Sequence, residues 1–415
     1  MVSATKLEGG YCFHSKNSPL DQPEGVKIHL YRLGIEQREH DALKSFACAG
    51  EGSPSLLDTI ILSQWENFAQ KGQLGYDVTT CELKSGMLIP NIPATPPTKL
   101  FTFPLIATVA ALIGTVCLSC AANRDGYGGI VIEGQRDFVI QMNDKWNSFS
   151  LKKYDKFGHP FGCLKPNSAR SYEELLLCIA EGENNEPEVV PSITPPNNGV
   201  LLIANAYPVE YGHIFLVPNA TNQLSSFWDK RMFGLITKIA SEVNSAAFRV
   251  FFDDGTSIVP KHMFFQACYF ANPLPVESSS TVALYDGATR SGICVSEIVD
   301  YPLKALVFTS TNVNALVDVV SEACLALHEN NTVHSLMMSN NGRNVFLFPQ
   351  VKNLVTGCCL SAWECCGYFV YHTKVDFDRA SETGISNRMA SFSFQDGDFE
   401  DLKKLCCAIA DGLVT

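Results

Sequence analysis

The chain has 415 residues, 46% hydrophobic and 18% charged, with a formal net charge of −12. That length and apolar fraction predict a globular protein with a sizeable core, with room for two or three domains. The acidic balance excludes a nucleic-acid partner, because phosphate backbones are bound by clustered Lys and Arg, and the longest basic cluster (Lys152, Lys153, Lys156) reads as a solvated loop.

Residues 1–52 are polar, broken by Gly9, Gly10, Gly50 and Gly52, and read as a mobile N-terminal extension. The opening MVSATKLEGGYCFHSK has no apolar leader core, which predicts a cytoplasmic location, open to the nucleus as well. There the 16 cysteines stay reduced and serve mostly as small buried hydrophobes. Cys358–Cys359, Cys365–Cys366 and Cys406–Cys407 are adjacent pairs, unsuited to strain-free bridges. Cys117 and Cys120 have a zinc-like local spacing inside an apolar run but lack a second pair. No metal and no cofactor is expected.

Residues 55–75 carry Leu56, Leu57, Ile60, Ile61, Trp65 and Phe68 at helical spacing, with Asp58 near the start and Gly72 near the end. The proline-rich 90–98 reads as a loop. From Leu100 to Asn123 there is no charge, a length that could span a bilayer. A span, a buried helix, an apolar loop and a stretch foreign to the folded domain are the competing readings; Pro104 and Gly114 weaken the helix. Ile130–Met142 has strand-like stretches, and 181–199, acidic and rich in proline, reads as an exposed linker. Val200–Asn205 and His213–Val217 are apolar strands, 223–246 has a helical pattern, and Phe248–Phe252 and Met263–Phe270 are strands around the turn signal Asp253-Asp254-Gly255. Further on, Leu303–Thr309 reads as a strand and Asn312–Leu327 as a helix. His334–Met338 and Val345–Pro349 flank the turn Asn340-Asn341-Gly342, Tyr368–His372 is a strand, and 397–413 forms a closing helix. Strands joined by hairpin-like turns, with isolated helices between them, predict antiparallel α+β architecture rather than a doubly wound parallel sheet.

The most distinctive stretch is Pro208-Val-Glu-Tyr-Gly-His213 opening an apolar strand, followed by His262-Met-Phe-Phe-Gln266. With Phe138–Asp144 (FVIQMND), Phe248-Arg-Val250, Ala323–Asn331 (ACLALHENN), Val345–Gln350 (VFLFPQ) and Asp376–Glu382 (DFDRASE), these resemble the plant-type GDP-L-galactose/GDP-D-glucose phosphorylases. That family is distantly related to galactose-1-phosphate uridylyltransferase in the histidine-triad superfamily. The resemblance covers most of 55–90 and 128–410. It implies histidine-triad-like antiparallel sheets with flanking helices in two related halves, 53–275 and 276–415. With matching sequence on both sides of 100–123, a membrane span there would split one core across a bilayer, so a membrane partner is not expected.

The family's reaction is phosphorolysis of a GDP-hexose through a guanylyl-histidine, a covalent route that divides one displacement into two. Its motif is His-φ-His-φ-Gln, where φ is apolar. Strand alternation puts the three polar residues on one face; the second histidine is the nucleophile and the glutamine donates to phosphate. Here those positions are His262, Phe264 and Gln266, and a phenyl ring has no lone pair for phosphorus. The loop after Val250 (FFDDGTS) is one residue shorter than the family's GYNSLGA type, and it sets Asp253 and Asp254 beside the diphosphate. The nucleotide-contacting residues implied by the resemblance are Asn205, His213, Asp253, Asp254 and Gly255. The plain readings are that His213 holds a turn, that His262 is a half-buried strand histidine, that Gln266 satisfies backbone groups, and that Asp253-Asp254-Gly255 is a turn.

The favoured function is therefore a degenerate paralogue that binds a GDP-hexose or another small molecule, with a homodimer allowed. Two alternatives stand beside it. One is an enzyme with altered, non-guanylylated chemistry. The other is an ordinary GDP-hexose phosphorylase of ascorbate biosynthesis.

Overall fold

The computed structural model describes residues 28–35, 54–72, 74, 82–84, 130–131, 136–144, 175–192, 195–219, 229–254, 264–287, 292–351 and 359–412. The apolar run 100–123, the proline-rich 90–98 and the basic cluster at 152–156 lie outside them. Among the described residues no helix is long and apolar enough to cross a membrane.

In chain order, the first half supplies β1 (Ile28–Leu33), α1 (Leu56–Gln70), β2 (Glu82–Lys84), β3 (Ile130–Val131), β4 (Val139–Met142), β5 (Leu175–Glu181), β6 (Glu188–Ser192), β7 (Gly199–Ala204), β8 (Ile214–Asn219), α2 (Lys230–Val243), β9 (Phe248–Asp253) and β10 (Phe265–Tyr269). A single 3₁₀ turn, Pro275–Ser278, leads to the second half. There follow β11 (Thr281–Asp286), β12 (Ile293–Ile298), β13 (Leu306–Ser310), α3 (Val313–Glu329), β14 (Val333–Ser339), β15 (Asn344–Gln350), α4 (Ala362–Cys365), β16 (Tyr368–Tyr371), α5 (Lys374–Arg379), α6 (Glu382–Ala390) and α7 (Asp396–Gly412).

The described strands form a 12-stranded sheet ordered β11-β12-β13-β15-β14-β9-β10-β8-β7-β5-β1-β6 and a small sheet ordered β16-β4-β2, with β3 also on β4. The middle of the large sheet is internally symmetric. Each half is a hairpin, a helix and a second hairpin: β7-β8-α2-β9-β10 and β12-β13-α3-β14-β15. Each is laid down in the same order, and β9 and β14 join antiparallel at the centre, with Leu336 opposite Phe252. Two related halves thus share one sheet. Its pairs are antiparallel apart from β1 with β5, as the hairpin pattern predicts.

The two equivalent helices are specified in the same way. Asp229 caps α2 by accepting from the Arg231 and Met232 amides, and Met232, Phe233, Leu235, Ile236, Ile239, Ala240 and Val243 form its buried stripe. Asn312 caps α3 through the Ala315 amide, and Leu316, Val317, Val319, Val320, Ala323 and Leu327 are buried. Together with α1 and α7 they bury one face of the sheet in a single core. The opposite face is covered in the second half by the small sheet and the segment from α4 to α6. In the first half it carries a smaller cluster that includes Leu201, Phe215 and Val217, with Phe264 packed against it.

Two stretches differ from the sequence expectation. Residues 28–33, within the predicted N-terminal extension, form a strand pairing Leu30 with Cys178. Residues 188–192, within the predicted linker, form the edge strand beyond it. The apolar positions of IHLYRL are too few to outweigh their polar neighbours in sequence, and the strand's partners lie some 150 positions away. Pro191, which argued for a linker, is tolerated because an edge strand need not donate on its open side.

The link between the halves is fixed by a nearly buried ion pair. Arg249 on β9 donates through Nε and Nη2 to Glu277 Oε2, at 3.2 and 3.1 Å, and the same oxygen accepts from the Leu274 amide at 2.7 Å. Removing one partner leaves an uncompensated charge in a site where the side chains are only 6% and 13% exposed. Arg249→Met is therefore expected to lower the unfolding free energy by about 3 kcal/mol, read from urea denaturation with an unchanged slope.

Candidate functional site

The loop from β7 to β8 is built to present His213. Its ends are closed by the Asn205 amide donating to the His213 carbonyl at 3.0 Å. Asn205 Oδ1 accepts from the Tyr207 amide at 2.9 Å, an Asx-type turn. The middle of the loop is held by β4 and the residue after it: Gln141 Nε2 donates to the Val209 carbonyl at 2.7 Å and Asn143 Nδ2 to the Pro208 carbonyl at 3.3 Å. Glu210 accepts from the Tyr368 hydroxyl of β16 at 2.9 Å, and the Trp65 indole of α1 donates to the His213 carbonyl at 3.3 Å. Gly212 has φ +68°, and a Cβ there would meet the Tyr269 ring at 2.5 Å; the glycine of the motif is thus required both for backbone conformation and for space.

His213 is fully buried and Asn205 1% exposed. The Val209 amide donates to His213 Nδ1 at 3.1 Å, and His213 Nε2 lies 3.0 Å from Gln266 Oε1. The Asn205 amide nitrogen is 3.4 and 3.3 Å from the two ring nitrogens, a near-equal spacing that sets it against the ring rather than on one lone pair. Burial pushes the imidazole pKa down to about 3, against a smaller upward pull from Gln266, so His213 is neutral across the physiological range.

Strand alternation divides β10 as its sequence predicts. Phe265, Ala267 and Tyr269 enter the helix-side core, while Phe264, Gln266 and Cys268 face the other way. Gln266 is opposite Phe215 on β8 and Phe251 on β9. Phe264 packs edge-on to Phe215 with ring centroids 5.9 Å apart. His262 and Gly255 lie outside the described residues.

The two aspartates sit at the end of β9. The Asp253 carboxyl turns towards the start of α4: Oδ1 accepts from the Ala362 amide at 2.5 Å and from Ser335 Oγ at 3.1 Å. Burial raises its pKa to about 7, opposed by these two hydrogen bonds and assisted by nearby Glu364. Asp254 Oδ2 lies 3.6 Å from His334 Nδ1. The structure thus brings Asn205, His213 and Gln266 into one hydrogen-bonded group, with Phe264 beside it. Asp253 belongs to a separate network with Ser335.

Two family models cover most of the chain: the GDPGP1-like N-terminal domain matches residues 128–268 and the GDPGP1-like C-terminal domain matches 275–413. The chain belongs to the GDPGP1-like family. It is 28% identical over 404 residues to GDP-L-galactose phosphorylase 1 of Arabidopsis thaliana, covering 92% of this chain and 80% of that protein. To GDP-L-galactose phosphorylase 2 of the same plant it is 25% identical over 381 residues, covering 86% and 77%. Among solved structures it is similar to yeast Ap4A phosphorylase Apa2 in complex with Ap4A, at 11% identity and a TM-score of 0.48 over 82% of this chain and 98% of that one.

In this GDPGP1-like chain the sequence reading missed Trp363. Its ring stacks on Phe251 at 4.0 Å and approaches His213 at 5.4 Å, so it walls the group from the second half. A signal was present in the bracketing capping box, Ser361 with Glu364, but nothing in sequence ties residue 363 to residue 213. The segment is anchored by Gln350, which accepts from the Leu360 amide at 2.8 Å and donates to the Leu360 carbonyl and Ser335 Oγ, both at 3.0 Å, and by Asp253.

A raised carboxyl pKa means that the fold favours the protonated form. The associated stability is fully present below the unfolded-state value near 3.8, declines as pH rises, and is lost above about 7. Asp253→Asn keeps an acceptor oxygen for Ala362 and Ser335 but cannot ionise. Its melting temperature relative to the unaltered chain is expected to climb between pH 4 and 7 and level off above, measured by calorimetric scans at matched ionic strength.

Proposed function

We propose that this chain binds a guanine nucleotide or nucleotide sugar, with phosphate oxygens against the Gln266 face of β10, and that it forms no covalent guanylyl intermediate. The observation that carries this reading is the pair of side chains that β10 sets on one face. Gln266 offers an amide, whereas Phe264 offers a hydrocarbon ring seated on Phe215. Phenylalanine has neither the lone pair nor the exchangeable proton that covalent transfer requires. His262 stands two positions earlier in the sequence, not at the nucleophile's own position, and displacement of a nucleophile by even about 1 Å can cost a hundredfold.

Membership of the GDPGP1-like family and similarity to the two GDP-L-galactose phosphorylases support a phosphorylase ancestry and a nucleotide as ligand. The Asp253 geometry favours retained binding: its carboxyl accepts from Ala362 and Ser335 and is part-protonated near neutrality, so it does not set a full negative charge against a diphosphate.

The reading is tested by incubating the chain with GDP-glucose or GDP-galactose, with and without phosphate. The expected outcome is calorimetric binding of GDP and GMP, no protein-bound GMP by mass spectrometry and no phosphate-dependent release of GDP. Phe264→His is expected to gain the adduct. Phosphate-dependent GDP release by the unaltered chain would sink the proposal.

A further inference from the structure

We infer that His213 is a positioning residue: a chain of hydrogen bonds starting at the Val209 backbone amide fixes which end of the Gln266 side chain meets the ligand. The direction follows from donor and acceptor capacity alone. A backbone N–H can only donate, so His213 Nδ1, at 3.1 Å from the Val209 nitrogen, must accept and carries no proton. The buried ring is neutral, and a neutral imidazole bears one proton, which is then on Nε2. That nitrogen donates to the Gln266 atom 3.0 Å away, which must be the carbonyl oxygen. The amide cannot flip without setting an N–H against an N–H. Its NH₂ group is left directed elsewhere and makes no hydrogen bond to any described residue.

The surroundings strengthen this order. Val209 is itself held by Gln141 on β4, so the first donor in the chain is rigid. Phe215, Phe251 and Trp363 surround the pair, and hydrogen bonds in such a low-dielectric setting resist exchange with water. Glu210, the charged residue of the same loop, is engaged by the Tyr368 hydroxyl and the Tyr211 amide. The outcome is a pure donor turned towards the ligand face, suited to the oxygens of a phosphate or phosphate ester and unsuited to a cation. The identity of the ligand rests on the function proposed above; the orientation of the amide does not.

Two measurements separate the parts. In the ligand-free protein, imidazole ¹⁵N resonances of His213 are expected to show a protonated Nε2 and a bare Nδ1 with no titration between pH 5 and 8. Protonation of Nδ1, or titration in that range, overturns the inference whatever the chain binds. The second measurement is a cycle of GDP affinities by calorimetry. His213→Phe is expected to weaken binding about tenfold when Gln266 is present and less than about twofold in a Gln266→Ala background, because coupled residues are not additive. His213→Gln, which can still donate to Gln266, is expected to restore most of the affinity. Equal losses in both backgrounds, or no recovery with glutamine, would show that His213 merely supports the fold. Absence of GDP binding in every variant refutes the nucleotide reading, while the resonances still decide the orientation.

Discussion

Burying an imidazole away from water forces a choice on everything around it. A charged ring would have to be compensated inside the core, so the ring is neutral, and a neutral ring has one donor and one acceptor that its neighbours must match. At His213 the match comes from opposite directions: a backbone amide of its own loop on one side and a side chain of β10 on the other. The closed ends of the β7–β8 loop, the grip of Gln141 and Asn143, the Tyr368–Glu210 bond and the glycine at 212 all serve to hold that loop in the one conformation that makes the match. The motif at 208–213 is thus a specification for a hydrogen-bonded turn.

The continuous sheet explains why this group draws on both halves. Because β9 and β14 pair directly, the chain following β15 can return across the first half, and Trp363 reaches Phe251 and His213. Gln350 and Ser335 from the second half and Asp253 from the first then hold the returning segment. Helices occupy the other face of the same strands, so polar chemistry is confined to one side of the sheet by default. The described cysteines fit this division: Cys178, Cys268, Cys324, Cys365, Cys366 and Cys406 are buried, where desolvation raises the thiol pKa and leaves them unreactive.

Local pattern carried much of this architecture. The stripes of α2 and α3, the alternation of β10 and the turn at Asn340-Asn341-Gly342, whose three residues all have positive φ, are each readable from neighbours in sequence, because local geometry decides them. What could not be read depends on distant pairing. β1 becomes a strand only when β5 and β6 arrive on either side, and β11 and β12, with little apolar alternation of their own, are strands because they complete the edge beyond β13. In the candidate site the same limit applies. The facing of Gln266 follows from period two, but its partner at 213 is 53 positions away. The inward turn of Asp253 depends on residue 362, so from sequence its side chain could be read as a turn signal or, through the resemblance, as a charge beside the diphosphate, but not as the acceptor for Ala362.

This separation of local and distant demands bears on how a nucleophile could be lost without the fold. Phe264 packs its ring edge-on to Phe215, on the rim of the small cluster that includes Leu201 and Val217. An aromatic hydrocarbon at such a rim gains apolar burial and asks nothing of the hydrogen bonds from Val209 to His213 and from His213 to Gln266, which are made from other directions. Histidine in that place would need hydrogen-bond partners or water. On the proposed reading, phenylalanine in place of histidine is cheap for stability and decisive for chemistry, so a scaffold of this kind can keep the amide of Gln266 in its place after covalent transfer has gone.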